Sequence, residues 1–129
     1  MANLEPAESP PSAPEVGRRL EEAACRYLSD RGLRLVERNY RCRLGEIDLV
    51  MTDGVHLIFV EVRYRRSTRF GHAAESIVAR KRRRVIMTAR RYLQTHRQFH
   101  DVPARFDVVA ITSGARDVVF EWIKDAFQT

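Results

Sequence analysis

Apolar residues change their period several times along the chain, and each change marks an element. Val16, Leu20, Ala23, Ala24 and Tyr27 recur at helical spacing, which predicts a helix from about Val16 to Asp30, ended by Gly32. Three strands follow: Leu33 to Arg41, alternating in part, then Gly45 to Met51 (GEIDLVM) and His56 to Tyr64 (HLIFVEVRY). Asp53-Gly54 between the last two is a tight-turn signal, so an antiparallel hairpin is expected. A loop, RSTRFGHA, leads into a long helix over about Ala74 to His96, with Val78, Val85, Ala89, Tyr92, Leu93 and His96 as its inner stripe. Pro103 breaks the pattern. Arg105 to Thr112 reads as a fourth strand, Ser113-Gly114 as a turn and Val118 to Ile123 as a fifth strand. Helix, three strands, helix, two strands is the order of an α/β domain, a mixed sheet flanked by helices. Residues 1–15 hold Pro6, Pro10, Pro11 and Pro14 without an apolar period and read as a flexible tail ahead of a single domain over residues 16–129.

Period-two alternation then places the polar residues. In GEIDLV it puts Glu46 and Asp48 on one face and Ile47 and Leu49 on the other. In the next strand Leu57, Phe59, Glu61 and Arg63 share a face, opposite Ile58, Val60 and Val62. Asp48 lies five residues before Asp53, and in-register pairing across the turn would bring it beside Glu61. Adjacent strands are about 4.8 Å apart, so two carboxylates there repel and raise each other's pKa. A divalent cation removes that penalty, and Mg²⁺ prefers one or two carboxylates with several waters. Two solvated strand carboxylates balanced by nearby arginines are the alternative that spacing leaves open.

The motifs extend the pattern. Gly17, Glu21, Ala24 and Tyr27-Leu28, then Arg38-Asn39-Tyr40-Arg41, Gly45-Glu46-Ile47-Asp48-Leu49-Val50, Phe59-Val60-Glu61-Val62-Arg63, Phe70-Gly71, Lys81 and Arg105-Phe106-Asp107-Val108-Val109 together resemble the YraN-like family of small bacterial proteins. The resemblance runs from about residue 17 to 127. It implies the restriction-endonuclease-like fold, the PD-(D/E)xK nuclease pattern and a likeness to archaeal Holliday-junction resolvases. It further implies Glu21 as the helix acid, Asp48 as the metal-binding aspartate and Glu61 as the second metal ligand, holding Mg²⁺ or Mn²⁺. Arg63 falls where many relatives carry a catalytic lysine. Arginine keeps its proton in proteins, so Arg63 is no general base, although it can clamp a phosphate. Lys81 is the candidate to take over that role. It lies three residues after Val78 and four before Val85, in the inward stripe, but Arg82 shares the stripe by the same arithmetic.

Charge adds the partner. Among 129 residues there are 23 lysines and arginines against 17 acids, a net +6, and the only lysines are Lys81 and Lys124. Arg63, Arg65, Arg66 and Arg69 end the third strand and line the loop after it. Arg80 to Arg84 (RKRRR) opens the second helix, with Arg80, Arg82, Arg83 and Arg84 around Lys81. Tyr64 and Phe70 interleave aromatic surface. Such clusters suit the phosphate backbone of a nucleic acid and need no base-reading pattern; DNA is the expected partner, although charge alone leaves DNA and RNA open.

Other chemistry is excluded. Cys25 and Cys42 are too few for a disulfide framework or a zinc site, and His96 with His100 lacks the companion ligands. No signal pattern and no run of ~20 apolar residues is present, so a cytoplasmic location away from membranes is expected. Two functions remain: a metal-dependent endonuclease or junction-processing enzyme, and a non-catalytic nucleic-acid-binding module that keeps the nuclease fold. Symmetric cutting of both strands would suit a homodimer.

Overall fold

The computed structural model describes residues 12–65, 79–114 and 117–127. The loop RSTRFGHA, the expected first turns of the second helix, and with them Arg66, Arg69 and Phe70, lie outside the described residues. The order is α1 (Ala13–Ser29), β1 (Arg34–Cys42), β2 (Gly45–Thr52), β3 (Leu57–Arg65), α2 (Ala79–Thr95), a short 3₁₀ turn (Arg97–Phe99), β4 (Ala104–Ser113) and β5 (Val118–Phe127). The strands form one sheet in the order β1-β2-β3-β4-β5. Only β3 and β4 run parallel, and α2 lies between them in the chain, so the α/β, mixed-sheet expectation holds.

Local chemistry moves two boundaries. The first helix starts at Ala13, three residues before the apolar stripe, because Ser12 caps it by accepting from the Glu15 amide and Pro14 suits its first turn. Val16, expected in the stripe, is 37% exposed, and the buried residues of α1 are Ala24, Cys25 and Leu28. The fifth strand continues past Ile123 to Phe127.

Helices cover both faces of the sheet. Against α2, through Val85, Ala89 and Tyr92, pack Ile47, Val50, Leu57, Phe59, Phe106, Val108 and Phe127. Against Ala24, Cys25 and Leu28 of α1 pack Leu49, Met51, Ile58, Val60, Val109 and Ile111. That double burial explains why LIFV in β3 is apolar without a break. It also corrects one expectation. Ile47 and Leu49 do not share a face: Ile47 packs on the α2 side and Leu49 on the α1 side. The alternation of β2 therefore changes phase at Asp48, across from Asn39 of β1, whose backbone is left-handed at φ 49.

A buried ion network fastens the β4–β5 half. Asp107 is fully buried, accepts from Arg105 Nε at 3.0 Å, from Trp122 Nε1 at 2.9 Å and from the Asp125 amide at 2.9 Å. Asp125 is held at φ 52, beside the register shift between β4 and β5. Arg105 also reaches Asp53 at 3.5 Å, tying the β2–β3 turn to β4. Among the described residues no helix is long and apolar enough to cross a membrane. Asp107→Ala leaves a half-buried guanidinium, an indole N–H and an amide without their acceptor. It should lower the urea unfolding free energy by about 3–5 kcal/mol, and a loss under about 1 kcal/mol would show that the network is dispensable.

Candidate metal centre

Asp48 and Glu61 meet where the sheet opens. The β2–β3 pairing runs Thr52↔Leu57, Met51↔Ile58, Val50↔Phe59 and Leu49↔Val60, then stops. One more step of that register would set Asp48 opposite Glu61, as the turn-based expectation had it. Instead of a further ladder bond, Asp48 Oδ2 accepts from the Val62 amide at 2.8 Å. On its other side, β1–β2 pairing passes from Arg38↔Leu49 to Tyr40↔Ile47 and omits the step between, where Asn39 would face Asp48. Asp48 thus stands in a fork with strands on both sides and its carboxylate turned toward β3.

Electrostatics make this a high-energy place for two acids. Glu61 is 3% exposed, and its Oε1 has no hydrogen-bond partner. Burial, and then the charge of Asp48, push its pKa up to about 8, against the opposing pull of Lys81 and Arg63. Burial also raises the pKa of Asp48, while the Val62 amide works the other way. That amide favours an ionised Asp48, so without a cation the proton of the pair rests on Glu61. Glu21 reaches the site from α1. Burial, then the charges of Asp48 and Glu46, raise it to about 7, and its Oε2 is buried without a partner.

The basic side chains divide. A cleft of about 770 Å³ is floored by Asp48 and Glu61, walled by Arg41, Cys42, Gly45 and Glu46 of the β1–β2 hairpin, and walled opposite by Arg80, Lys81, Arg84 and Val85 of α2. Gly45 brings the walls together: at φ 154, a Cβ there would lie 3.0 Å from Thr88 Oγ1 of α2. Lys81 Nζ stands 3.8 Å from Glu61 Oε2, an ion pair too long for a hydrogen bond. The structure thus separates Lys81 from Arg82, which spacing left equivalent. Arg82 and Arg83 are exposed and outside the cleft lining. Arg63 follows Glu61 by two on β3, half-buried, with its Nε unpartnered. Arg65 is half-buried at the end of β3.

Glu21 is not part of the cleft lining. It lines a smaller cavity of about 200 Å³ with Arg18, Glu22, Arg38, Asn39 and Leu49. Among the described residues no three His, Cys, Asp or Glu side chains form a ready cage for an ion. The donors that fit a hard cation are the Asp48–Glu61 pair, with an unused carboxylate oxygen on Glu61 and room for water. Sequence reasoning missed Arg41, Glu46 and Gly45 as cleft residues. Glu46 and Gly45 stand within three residues of Asp48, but the packing of the hairpin against α2 has no local signal.

The profile of Uncharacterised protein family UPF0102 matches residues 20–111, a span that holds every one of these carboxylates. The chain belongs to that family. UPF0102 is the YraN-like group to which the GEIDLV and FVEVR motifs pointed. A UPF0102 protein of Nitrosococcus oceani is 53% identical over 114 residues, covering 87% of this chain and 90% of that relative. Those of Stutzerimonas stutzeri and Nitrosomonas europaea are 50% and 51% identical, covering 88% and 90% of this chain and 94% and 96% of theirs.

A raised carboxyl pKa has a fixed sign in stability. Glu61 holds its proton more tightly folded, near 8, than at its ordinary 4.5. Its contribution is therefore present at low pH and lost as pH rises from about 4.5 to about 8. The metal-free protein should unfold at lower urea concentration at pH 8 than at pH 5.5, and Glu61→Gln should flatten that difference. Identical pH profiles for the two proteins would contradict the assignment of the proton to Glu61.

Proposed function

We propose that this UPF0102 protein is a divalent-metal-dependent phosphodiesterase that cuts nucleic acid, DNA first, on a restriction-endonuclease-like fold. One observation carries the reading: a buried carboxylate, Glu61, and a half-buried one, Asp48, repel each other on the floor of a cleft whose walls bear Arg41, Arg80, Lys81 and Arg84. Acids alone would repel phosphate, and cations alone would need no buried acids beside them. The combination suits a phosphodiester brought to a metal ion. Asp48 and Glu61 would hold Mg²⁺ or Mn²⁺, with Glu21 acting through water, and the bound metal would activate water and stabilise the leaving oxygen.

The rest is the work of the chain's own residues. Arg80 and Arg84 on one wall and Arg41 on the other hold the phosphate backbone. Arg82 and Arg83, exposed and outside the cleft lining, contribute charge to approach and non-specific binding. Arg63 stabilises charge at the scissile phosphate without giving up a proton. Lys81, paired to Glu61, offsets the pair's negative charge and orients the carboxylate. Cutting both strands of a duplex symmetrically would call for two copies of the chain.

Single-turnover cleavage of labelled duplex, flap and four-way-junction DNA with Mg²⁺ or Mn²⁺ tests this. Asp48→Asn and Glu61→Gln should lose cleavage yet retain salt-sensitive binding. Arg63→Ala should lose about two decades of rate, on the order of 3 kcal/mol. Arg63→Lys should keep most of the rate, and Lys81→Ala should fall between. If wild type binds these substrates and cuts none, the protein is a binding module that keeps the nuclease fold. Wild-type rates in Asp48→Asn would remove that residue from the chemistry.

A further inference from the structure

Asn39 sits at φ 49 in the middle of β1, the left-handed region that β-branched residues avoid. It falls where the β1–β2 ladder passes from Arg38↔Leu49 to Tyr40↔Ile47 in unchanged register but skips the pair between, which leaves Asp48 without a ladder partner on β1; the register shift of this strand pair lies earlier, between Leu35 and Glu37. At the same level β2 changes phase, so Leu49 packs toward α1 and Ile47 toward α2. Beyond this level the β2–β3 pairing also ends. These features coincide at Asp48, and the left-handed residue is the local cause that the sequence supplies. Had β1 stayed extended, Ile47 would keep the face of Leu49, and Asp48 would stay in ladder with Asn39. Its carboxylate would then stand out of the sheet instead of turning along it to the Val62 amide.

We propose that Asn39 is a positioning residue for the metal centre. Its left-handed backbone releases Asp48 from β1 and aims the Asp48 carboxylate at the Val62 amide, beside Glu61. Asn suits the task because its short side chain tolerates this conformation. It also lines the cavity that holds Glu21. The inference rests on the metal-centre reading only in its metal arm.

The test uses the full chain, ¹⁵N-labelled, with Asn39→Gly, Asn39→Ala and Asn39→Val. Glycine keeps the left-handed backbone at no steric cost; valine opposes it most. Two quantities are read: the shift and exchange rate of the Val62 amide without metal, and Mn²⁺ affinity by electron paramagnetic resonance. Asn39→Gly should match wild type within about twofold in Mn²⁺ affinity and keep the Val62 amide protected. Asn39→Val should weaken Mn²⁺ at least about tenfold and expose that amide, with Asn39→Ala between. If Asn39→Val does not fold, the glycine and alanine variants decide by the same two readouts. A purely structural role would lower the melting temperature while leaving the Val62 amide and Mn²⁺ affinity as in wild type, and that result overturns the proposal. Equal damage in Asn39→Gly and Asn39→Val overturns it too. Should wild type bind no Mn²⁺, the metal-centre reading fails, and the Val62 amide alone decides the role of Asn39.

Discussion

Two carboxylates on neighbouring strands, both taken largely out of water, cannot share a sheet cheaply. In a medium of low effective dielectric their repulsion and their desolvation add, and neither is repaid by the hydrogen bonds present. Glu61 has an oxygen with no partner at all, and Asp48 has one backbone amide. Lys81 approaches only to 3.8 Å, and Arg63 leaves its Nε unpaired. The fold contains the cations needed to balance the pair and yet does not close them onto it. What is left over is an electrostatic demand at the floor of an open cleft, which a small hard cation with its waters can meet.

A second buried acid makes the contrast. Asp107 lies on the same sheet, on strand β4, one register step from Glu61: Val60 pairs with Asp107 and Glu61 with Val108. Phe106 and Val108 pack toward α2, so Asp107 points to the other face. There it receives a bidentate arginine, an indole and an amide. Every demand of that carboxylate is met within the chain, and its role is to fasten strands and a turn. The two acids differ in satisfaction and not in burial. That difference, read atom by atom, leaves Asp107 satisfied within the fold and Glu61 with an oxygen still to be satisfied.

Much of this was legible in the chain itself. Alternation put Asp48 and Glu61 on neighbouring strands as polar positions, but their side-by-side placement follows from the longer connection that sets Thr52 opposite Leu57, since a two-residue Asp53-Gly54 turn would have set Asp48 opposite Phe59. The helical stripe through Val85, Ala89 and Tyr92 was legible from its period. Three things were not. The helix start at Ala13 depends on a serine cap upstream of any apolar residue in the stripe. The change of phase in β2 falls across from the left-handed Asn39 in another strand, and a period counted along β2 alone has no access to it. The division of the basic run, with Arg80, Lys81 and Arg84 in the cleft and Arg82 and Arg83 outside it, depends on where β2 meets α2 through Gly45 and Thr88. In the last two cases the missing information lies in how one segment meets another, whereas the helix cap is local but sits in a proline-rich stretch that has no apolar period to announce a helix.

The central claim is that the proton on Glu61 holds the place of a cation. Titration calorimetry with Mg²⁺ at pH 7, repeated in two buffers of different ionisation enthalpy, measures that exchange directly. Since Glu61 ionises near 8 and Glu21 near 7 without metal, binding must release protons at this pH. The account predicts a binding heat that differs between the buffers and a buffer dependence that largely disappears in Glu61→Gln. Mg²⁺ heats that are the same in both buffers, or a wild-type protein that takes up no Mg²⁺, would contradict it.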